Sequence, residues 1–207
     1  MHTSSGVVAL AFSGGLDTSY CVPRLAEQGW AVHTVYVNTG GASPDERAAI
    51  RRQAEAVGSV AHHEVDARAL VFDRFVRFLI QGNVLRGGVY PLSVAAERTQ
   101  QAISVLEVAR AIGATAVAHG STGAGNDQVR FDVTLRVLAA DLTILTPIRD
   151  EGLSRSQAIA YLEARRLPVP AKAGAYSINA GLWGTTWGGG WTHDTWAPPP
   201  AELLDPP

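Results

Sequence analysis

Residues 12–19, which read FSGGLDTS, constrain the fold of this chain more than any other stretch. An apolar run over residues 7–12 leads into the glycines and predicts a strand buried on both faces. Helical apolar spacing follows over residues 19–28. Glycines let the backbone approach an anion closely, while helix N-terminal N–H groups and nearby hydroxyls point hydrogen-bond donors at it. The stretch therefore predicts a strand, a tight turn and a helix that bind a polyphosphate.

The chemistry of this turn differs from that of a Walker A loop, which needs a lysine in the turn, because the only lysine of the chain is Lys172. Asp17 beside a phosphate would be repulsive alone, so a divalent cation such as Mg²⁺ between them is the natural arrangement. The alternative is a glycine turn that only packs a helix on a strand. Such turns rarely carry three hydroxyls and an acid together, as this one does.

Composition narrows the class of ligand. The chain has 207 residues, 46% of them hydrophobic, which is enough for one full core. A net charge of −2 with dispersed basic residues indicates neither nucleic acid nor an anionic membrane as a partner. The single cysteine, Cys21, excludes an internal disulfide and is typical of a reducing compartment, and no stretch reads as a signal peptide or membrane span. We therefore expect a cytoplasmic protein that acts on small molecules.

Strand-like and helix-like segments alternate along the chain, which predicts an α/β fold with a doubly wound, mainly parallel sheet and helices on both faces. The further predicted strands cover residues 31–37, 60–65, 114–118 and 142–149, and the further predicted helices cover residues 45–57, 68–80, 94–113 and 154–166. In such sheets ligands bind at the carboxyl ends of the strands, where the winding direction reverses.

A second glycine-rich stretch, residues 119–132 (HGSTGAGNDQVRFD), directly follows a predicted strand. It supplies a hydroxyl, an amide, a carboxylate and a guanidinium, which can together bind both ends of an amino acid. These groups belong to Thr122, Asn126, Asp127 and Arg130. A glycine-rich surface turn is the alternative interpretation. Because two loops that leave neighbouring strand ends can share a ligand, we expect this stretch and residues 12–19 to form one pocket.

The two stretches resemble a known enzyme family. SGGxDTS is the signature of the PP-loop ATP pyrophosphatases, and residues 11–25 (AFSGGLDTSYCVPRL) look like the opening of argininosuccinate synthase. Residues 119–131 are close to a signature of the same family. The resemblance implies a PP-loop, adenine nucleotide alpha hydrolase-like domain over residues 1–170. Residues 171–207 form a Gly-, Trp- and Pro-rich segment that resembles the linker to a second domain.

The resemblance implies an ATP-dependent ligase that condenses citrulline with aspartate. ATP would adenylylate the ureido oxygen of citrulline and release pyrophosphate with Mg²⁺, and the aspartate amine would then displace AMP. No side-chain nucleophile is required, because positioning and charge stabilisation at phosphorus carry such a reaction. The alternatives are a truncated or partner-dependent nucleotide-binding domain, and another PP-loop ligase that joins a different amine and carbonyl compound.

The resemblance also implies the residues of the site. The nucleotide would contact Ala11, Phe12, Ser13, Gly14, Gly15, Leu16, Asp17, Thr18, Ser19, Val37, Asn38, His119 and Gly120. Citrulline and aspartate would contact Tyr90, Arg98, Thr122, Gly123, Asn126, Asp127, Arg130, Ser177 and Thr186. Asp17, Ser19 and Asp127 would be catalytic, and Asp17 would also bind the metal ion.

The chain departs from the family pattern beside Arg98 and near its C-terminus. Glu97 is unexpected before this arginine, and a DENL-like piece of the family reads NAGL at residues 179–182. Family members are also longer than this chain, so we expect either a fragment or a short protein whose missing parts come from a partner chain or are not needed. Four of the five tryptophans lie within residues 183–196 and indicate a surface for a partner chain, a homo-oligomer or the domain itself.

Overall fold

Five parallel strands form the sheet on which the rest of the molecule is built. The structure is a computed structural model that describes residues 6–123, 126–170 and 177–188, together with residues 192, 194 and 196–198. The strands are β1 (Gly6–Ala11), β2 (Trp30–Asn38), β3 (Ala61–Asp66), β4 (Ala116–His119) and β5 (Thr143–Leu145). They lie in the order β3-β2-β1-β4-β5, so the winding direction reverses between β1 and β4.

Helices cover both faces of this sheet. They are α1 (Leu16–Glu27), α2 (Pro44–Ala56), α3 (Arg68–Val71), α4 (Arg77–Gln81), α5 (Ala95–Ala111), α6 (Asp127–Leu138), α7 (Pro147–Asp150) and α8 (Arg155–Ala164). A π-helical turn, Phe72–Val76, joins α3 to α4. Helices α1, α2 and α8 pack on one face, and α5 and α6 pack on the other. The predicted doubly wound α/β fold is confirmed. Among the described helices, none is both long and apolar enough to cross a bilayer.

Strand β1 contributes to both halves of the core. Val8 and Leu10 pack with α1 and α8, whereas Ala9 packs with α5 and α6. Because successive side chains of a strand point to opposite faces, a central strand covered on both faces must be apolar at every position. This explains the continuous apolar run before the glycines: Val8, Ala9 and Leu10 are fully buried, and only the two ends of β1 are partly exposed.

A small antiparallel hairpin follows the main domain in sequence. Strand β6 (Ser177–Gly181) pairs with β7 (Gly184–Gly188) through a turn at Leu182 and Trp183. The Leu182 N–H donates to the Thr39 carbonyl at 2.8 Å, and the Trp183 indole donates to the Pro91 carbonyl at 2.8 Å. The hairpin is therefore docked on the loop after β2 and on the segment before α5. The proposed division near residue 170 stays a prediction, since residues 171–176 lie outside the described residues.

Three elements differ from their sequence-based expectations. Residues 142–149 predict a strand that ends at the proline, whereas β5 already ends at Leu145 and Pro147 begins α7. Proline is favoured at the first position of a helix, where its missing N–H is not needed. The helix predicted over residues 68–80 contains the π-helical turn. Helix α6 was not predicted, because its first residues were assigned to a glycine-rich loop.

Two substitutions in α6 test how this helix packs on the face of the sheet that it covers with α5. Leu135 is fully buried and Val137, two residues on, is 72% exposed. We expect Leu135→Ala to lower the free energy of unfolding by about 2–5 kcal/mol, and Val137→Ala to change it by less than about 0.5 kcal/mol. Urea denaturation followed by circular dichroism measures both. Equal, small losses would contradict the packing of α6 on the sheet.

Candidate functional site

The carboxyl ends of β1 and β4 open into one cavity of about 450 Å³. Two loops form its base: the β1 loop (residues 12–15) and the β4 loop (residues 120–123). Of the predicted site residues, the cavity is lined by Ala11, Phe12, Ser13, Gly15, Leu16, Asp17, Thr18, Val37, Arg98, His119, Gly120, Thr122 and Asp127. The structure thus brings the two glycine-rich stretches of the sequence together, with both Asp17 and Asp127 on the cavity wall.

The β4 loop approaches the first turn of α1 at Gly120. A Cβ added to this glycine would lie 3.1 Å from the Thr18 Cγ2 atom and 3.3 Å from the Thr18 backbone nitrogen. Both distances are shorter than an ordinary van der Waals contact, so a side chain at position 120 would press on α1. The absence of a side chain at Gly120 therefore allows the β4 loop to lie close to the start of α1.

The β1 loop presents hydrogen-bond donors at the start of α1. Gly14 has φ +76°, in the left-handed region that favours glycine, and Gly15 caps α1 without a side-chain hydrogen bond. The Ser13 and Thr18 hydroxyls lie 3.3 Å apart beside it. An uncapped helix N-terminus with neighbouring hydroxyls is an arrangement that binds phosphate.

Asp17 is the acid of this half of the cavity. Burial raises the pKa of its carboxyl group, and the charge of Arg155 opposes that shift. Among the described residues Asp17 makes no ion pair, and no three His, Cys, Asp or Glu side chains cluster as a metal site. A Mg²⁺ ion typically uses one or two carboxylates and takes its other ligands from phosphate and water. Asp17 fits such an ion when a polyphosphate is bound.

The other half of the cavity carries a cluster of two arginines around Asp127. Arg98 Nε donates to Asp127 Oδ2 at 3.2 Å, and Arg130 Nη1 donates to Asp127 Oδ1 at 3.0 Å. Arg98 Nη2 also donates to Asn179 Oδ1 on β6 at 2.6 Å. One carboxylate and two guanidinium groups leave a local excess of positive charge, which suits the carboxylates of an amino acid. Each Asp127 oxygen accepts one guanidinium hydrogen bond and can accept a further one from an ammonium group.

Several predicted residues lie outside the lining of the cavity: Gly14, Ser19, Asn38, Tyr90, Gly123, Asn126, Arg130 and Thr186. Ser19 is fully buried, and its Oγ accepts a hydrogen bond from Gln53 at 3.1 Å. Asn38 is also buried, and its Oδ1 accepts from the Gly40 N–H at 2.9 Å. The side chain of Ser177 is outside the described part of the chain. The roles of these residues stay predictions.

His119 is held at the end of β4 by a chain of polar contacts that sequence reasoning missed. Its Nε2 lies 2.9 Å from Asp132 Oδ1, and Arg149 Nη1 donates to Asp132 Oδ2 at 2.8 Å. Because a carboxylate only accepts, Nε2 carries the proton and Nδ1 is free to accept from the Ser121 N–H at 3.4 Å. Burial lowers the pKa of His119, and Asp132 opposes that shift. These polar contacts therefore fix the orientation of the His119 ring and the start of the β4 loop.

Further lining residues were not predicted, namely Val35, Tyr36, Gln101, Ser121, Phe131 and Asn179. Asn179 had a signal in the sequence, because it follows Ser177 within the segment that matches the family. Asp132 also stood inside the second glycine-rich stretch. Gln101 also had a signal in the sequence, because it lies three residues after Arg98 on the same predicted helix and so on the same face. Its Oε1 accepts from Arg98 Nη1 at 2.9 Å.

Comparison with known proteins assigns this chain to a family. A family model described as the Arginosuccinate synthase N-terminal HUP domain matches residues 7–168. The chain belongs to the argininosuccinate synthase family. Its β1 and β4 loops both fall inside the matched region, and its five-stranded parallel sheet is the HUP, or PP-loop, α/β fold.

Curated members of the argininosuccinate synthase family are similar to this chain over nearly its whole length. Argininosuccinate synthase of Xylella fastidiosa is 45% identical over 196 residues, which cover 93% of this chain and 48% of that protein. The enzyme of Pyrobaculum aerophilum is 43% identical, covering 95% of this chain and 49% of that protein. The enzyme of Methanocaldococcus jannaschii is 38% identical over 95% of this chain. The chain spans about half the length of these relatives.

The contact at Gly120 predicts a nucleotide-affinity effect. We expect Gly120→Ala to weaken binding of a non-hydrolysable ATP analogue roughly tenfold or more, or about 1.4 kcal/mol, because the added methyl group separates the loops. Isothermal titration calorimetry measures the affinity. Gly58→Ala is the control: it introduces backbone strain at φ +94° far from the cavity and should leave affinity unchanged. Equal affinities for both variants would contradict the contact.

The Asp132 contact predicts a change in the titration of His119. We expect Asp132→Asn to lower the pKa of His119 further, because the carboxylate opposes the effect of burial. Nuclear magnetic resonance titration of the His119 ring protons measures it. Asp141→Asn, at an exposed position paired with Arg110, should leave that pKa in place. An unchanged or higher His119 pKa in Asp132→Asn would show that the two groups do not interact.

Proposed function

We propose that this chain binds ATP, citrulline and aspartate in one cavity and catalyses their condensation as an argininosuccinate synthase-like ligase. The observation that carries the proposal is that the β1 loop and the β4 loop line the same cavity, with Asp17 on one side and Asp127 on the other. Membership of the family supports ATP as the co-substrate. The relatives are about twice as long, so activity of this chain is a proposal that needs its own test.

The β1 loop and the start of α1 are the proposed site for the ATP tail. Backbone N–H groups at the α1 N-terminus, with the hydroxyls of Ser13 and Thr18, would bind the departing pyrophosphate. Mg²⁺ beside Asp17 would supply neutralising charge there. Val37, which lines the cavity, would contact the adenine ring, and His119 and Gly120 would contact the nucleotide from the end of β4.

The Asp127 cluster is the proposed site for the amino acids. Asp127 would bind the aspartate ammonium group, and Arg98 and Arg130, which both donate to Asp127, would bind carboxylates. Thr122 and Gly123 belong to the β4 loop, and Asn126 directly precedes α6. The predicted citrulline contacts of Tyr90, Ser177 and Thr186 would come from the segment before α5 and from the hairpin.

The proposed reaction needs no covalent bond to the protein. The ureido oxygen of citrulline attacks the α-phosphorus of ATP, and the bond to pyrophosphate breaks, which forms citrullyl-AMP. The aspartate amine then attacks the ureido carbon, loses a proton and displaces AMP. Charge that develops on the departing pyrophosphate is stabilised by donors already aimed at it, so the chain contributes positioning and electrostatic stabilisation.

A second candidate function is favoured by the length of the relatives. A chain that spans about half of each curated argininosuccinate synthase could be a nucleotide-binding domain that requires a partner. Such a domain would bind ATP alone and release pyrophosphate only in the presence of the partner chain.

Pyrophosphate release separates the two functions. We expect the purified chain to release pyrophosphate over many turnovers only when ATP, citrulline and aspartate are all present, because without aspartate the citrullyl-AMP is not consumed. A coupled phosphate assay measures this release. Asp127→Asn should lower the rate roughly 100-fold, because it removes the partner of the aspartate ammonium group. Glu107→Gln, at an exposed position of α5, should match the wild type. ATP binding without pyrophosphate release would contradict the ligase proposal and favour the partner-dependent domain.

A further inference from the structure

Glu97 is a buried carboxylate that the proposed chemistry does not use. It lies on α5 and only 1% of its surface is exposed. Its Oε2 accepts a hydrogen bond from the Thr39 hydroxyl at 3.0 Å, and its Oε1 has no partner at hydrogen-bond geometry among the described residues. Because burying a carboxylate costs free energy unless nearby groups offset it, this position calls for a structural reason.

The turn of the β6–β7 hairpin lies directly over this carboxylate. A Cβ added to Gly181 would collide with both Glu97 carboxylate oxygens, so the acid fills the space that a side chain at position 181 would need. Burial raises the pKa of Glu97, whereas the Thr39 hydroxyl, the charge of Arg98 and the backbone amides of Trp183 and Leu182 lower it. Two of the groups that favour the charged form thus belong to the hairpin itself.

The same hairpin delivers a side chain to the cavity. Asn179 lies two residues before Gly181 on β6, lines the cavity and accepts from Arg98, the residue next to Glu97. The Leu182 N–H donates to the carbonyl of Thr39, whose hydroxyl donates to Glu97. Glu97 and Thr39 therefore hold the turn, and the position of the turn sets where Asn179 meets Arg98.

We propose that Glu97 is a positioning residue for the amino-acid side of the cavity. Its carboxylate occupies the place of the missing Gly181 side chain and fixes the hairpin against α5, so that Asn179 and Arg98 close the wall beside Asp127. The identity of the ligand behind that wall rests on the proposed function, whereas the contact between Glu97 and Gly181 does not. Neither Glu97 nor Gly181 touches the reacting atoms.

Hydrogen exchange tests the contact without any activity. In the full chain, we expect Glu97→Ala to speed exchange of the Leu182 and Trp183 amides at least tenfold relative to the wild type, as measured by mass spectrometry. Glu97→Gln keeps the side-chain volume and an acceptor for the Thr39 hydroxyl. The same amides should therefore exchange faster in Glu97→Gln than in the wild type but more slowly than in Glu97→Ala. Glu107→Ala, on an exposed position of the same helix, is the matched control and should not change these amides. Unchanged exchange in Glu97→Ala would overturn the proposal.

A double-substitution cycle tests whether the carboxylate fills the Gly181 position. We expect Gly181→Ala to loosen the hairpin strongly in the wild-type background, because the methyl group collides with the carboxylate. In the Glu97→Ala background that collision is gone, so adding Gly181→Ala should change exchange of the Trp183 amide less than twofold after correction for intrinsic rates. Equal effects of Gly181→Ala in both backgrounds would overturn the proposal.

A comparison of how Glu97→Ala affects the amino acids and how it affects ATP tests the positioning role. We expect Glu97→Ala to raise the KM for aspartate or citrulline about tenfold while the affinity for ATP, measured by calorimetry, stays at the wild-type value. Rescue of that KM by Glu97→Gln would support the role, and equal losses for ATP and the amino acids would contradict it. If the wild-type chain releases no pyrophosphate, the ligase proposal fails, but the exchange experiments still decide the contact.

Discussion

The close approach of the β4 loop to the first turn of α1 is the constraint on which the site depends. Strands β1 and β4 are neighbours in the sheet, and their carboxyl ends lie side by side where the winding direction reverses. Because Gly120 has no side chain, the β4 loop can lie close to the first turn of α1. Residues of the α1 N-terminus and of α6 therefore line the same cavity.

The two acids of the cavity occupy different electrostatic environments, and this difference separates their proposed roles. Asp17 is partly desolvated and its burial raises its pKa, so a cation beside it would stabilise the ionised carboxylate. Asp127 is already paired with two arginines. In the proposed function, the cavity would therefore have a phosphate half around Asp17 and an amino-acid half around Asp127.

Local features of this fold and site could be predicted from the sequence, and long-range ones could not. The buried run of β1, the glycine turn and the donors at α1 are adjacent in the chain. Their local sequence pattern was therefore sufficient to predict them. The orientation of Ser19 and Asn38 depends on partners in the folded chain, Gln53 and the Gly40 amide. The fit of Glu97 against Gly181 joins residues 84 positions apart, and neither residue type alone indicates it. Helix α6 was missed because its first residues, Asp127 and Gln128, read as loop chemistry.

A crystal structure with a non-hydrolysable ATP analogue and aspartate would show whether one cavity binds both the ATP tail and the amino acid. Phosphate oxygens are expected within hydrogen-bond distance of the β1 loop, and the aspartate ammonium group within hydrogen-bond distance of Asp127. Electron density for the nucleotide or the aspartate outside this cavity, with the cavity itself empty, would mean that the two ligands do not share it.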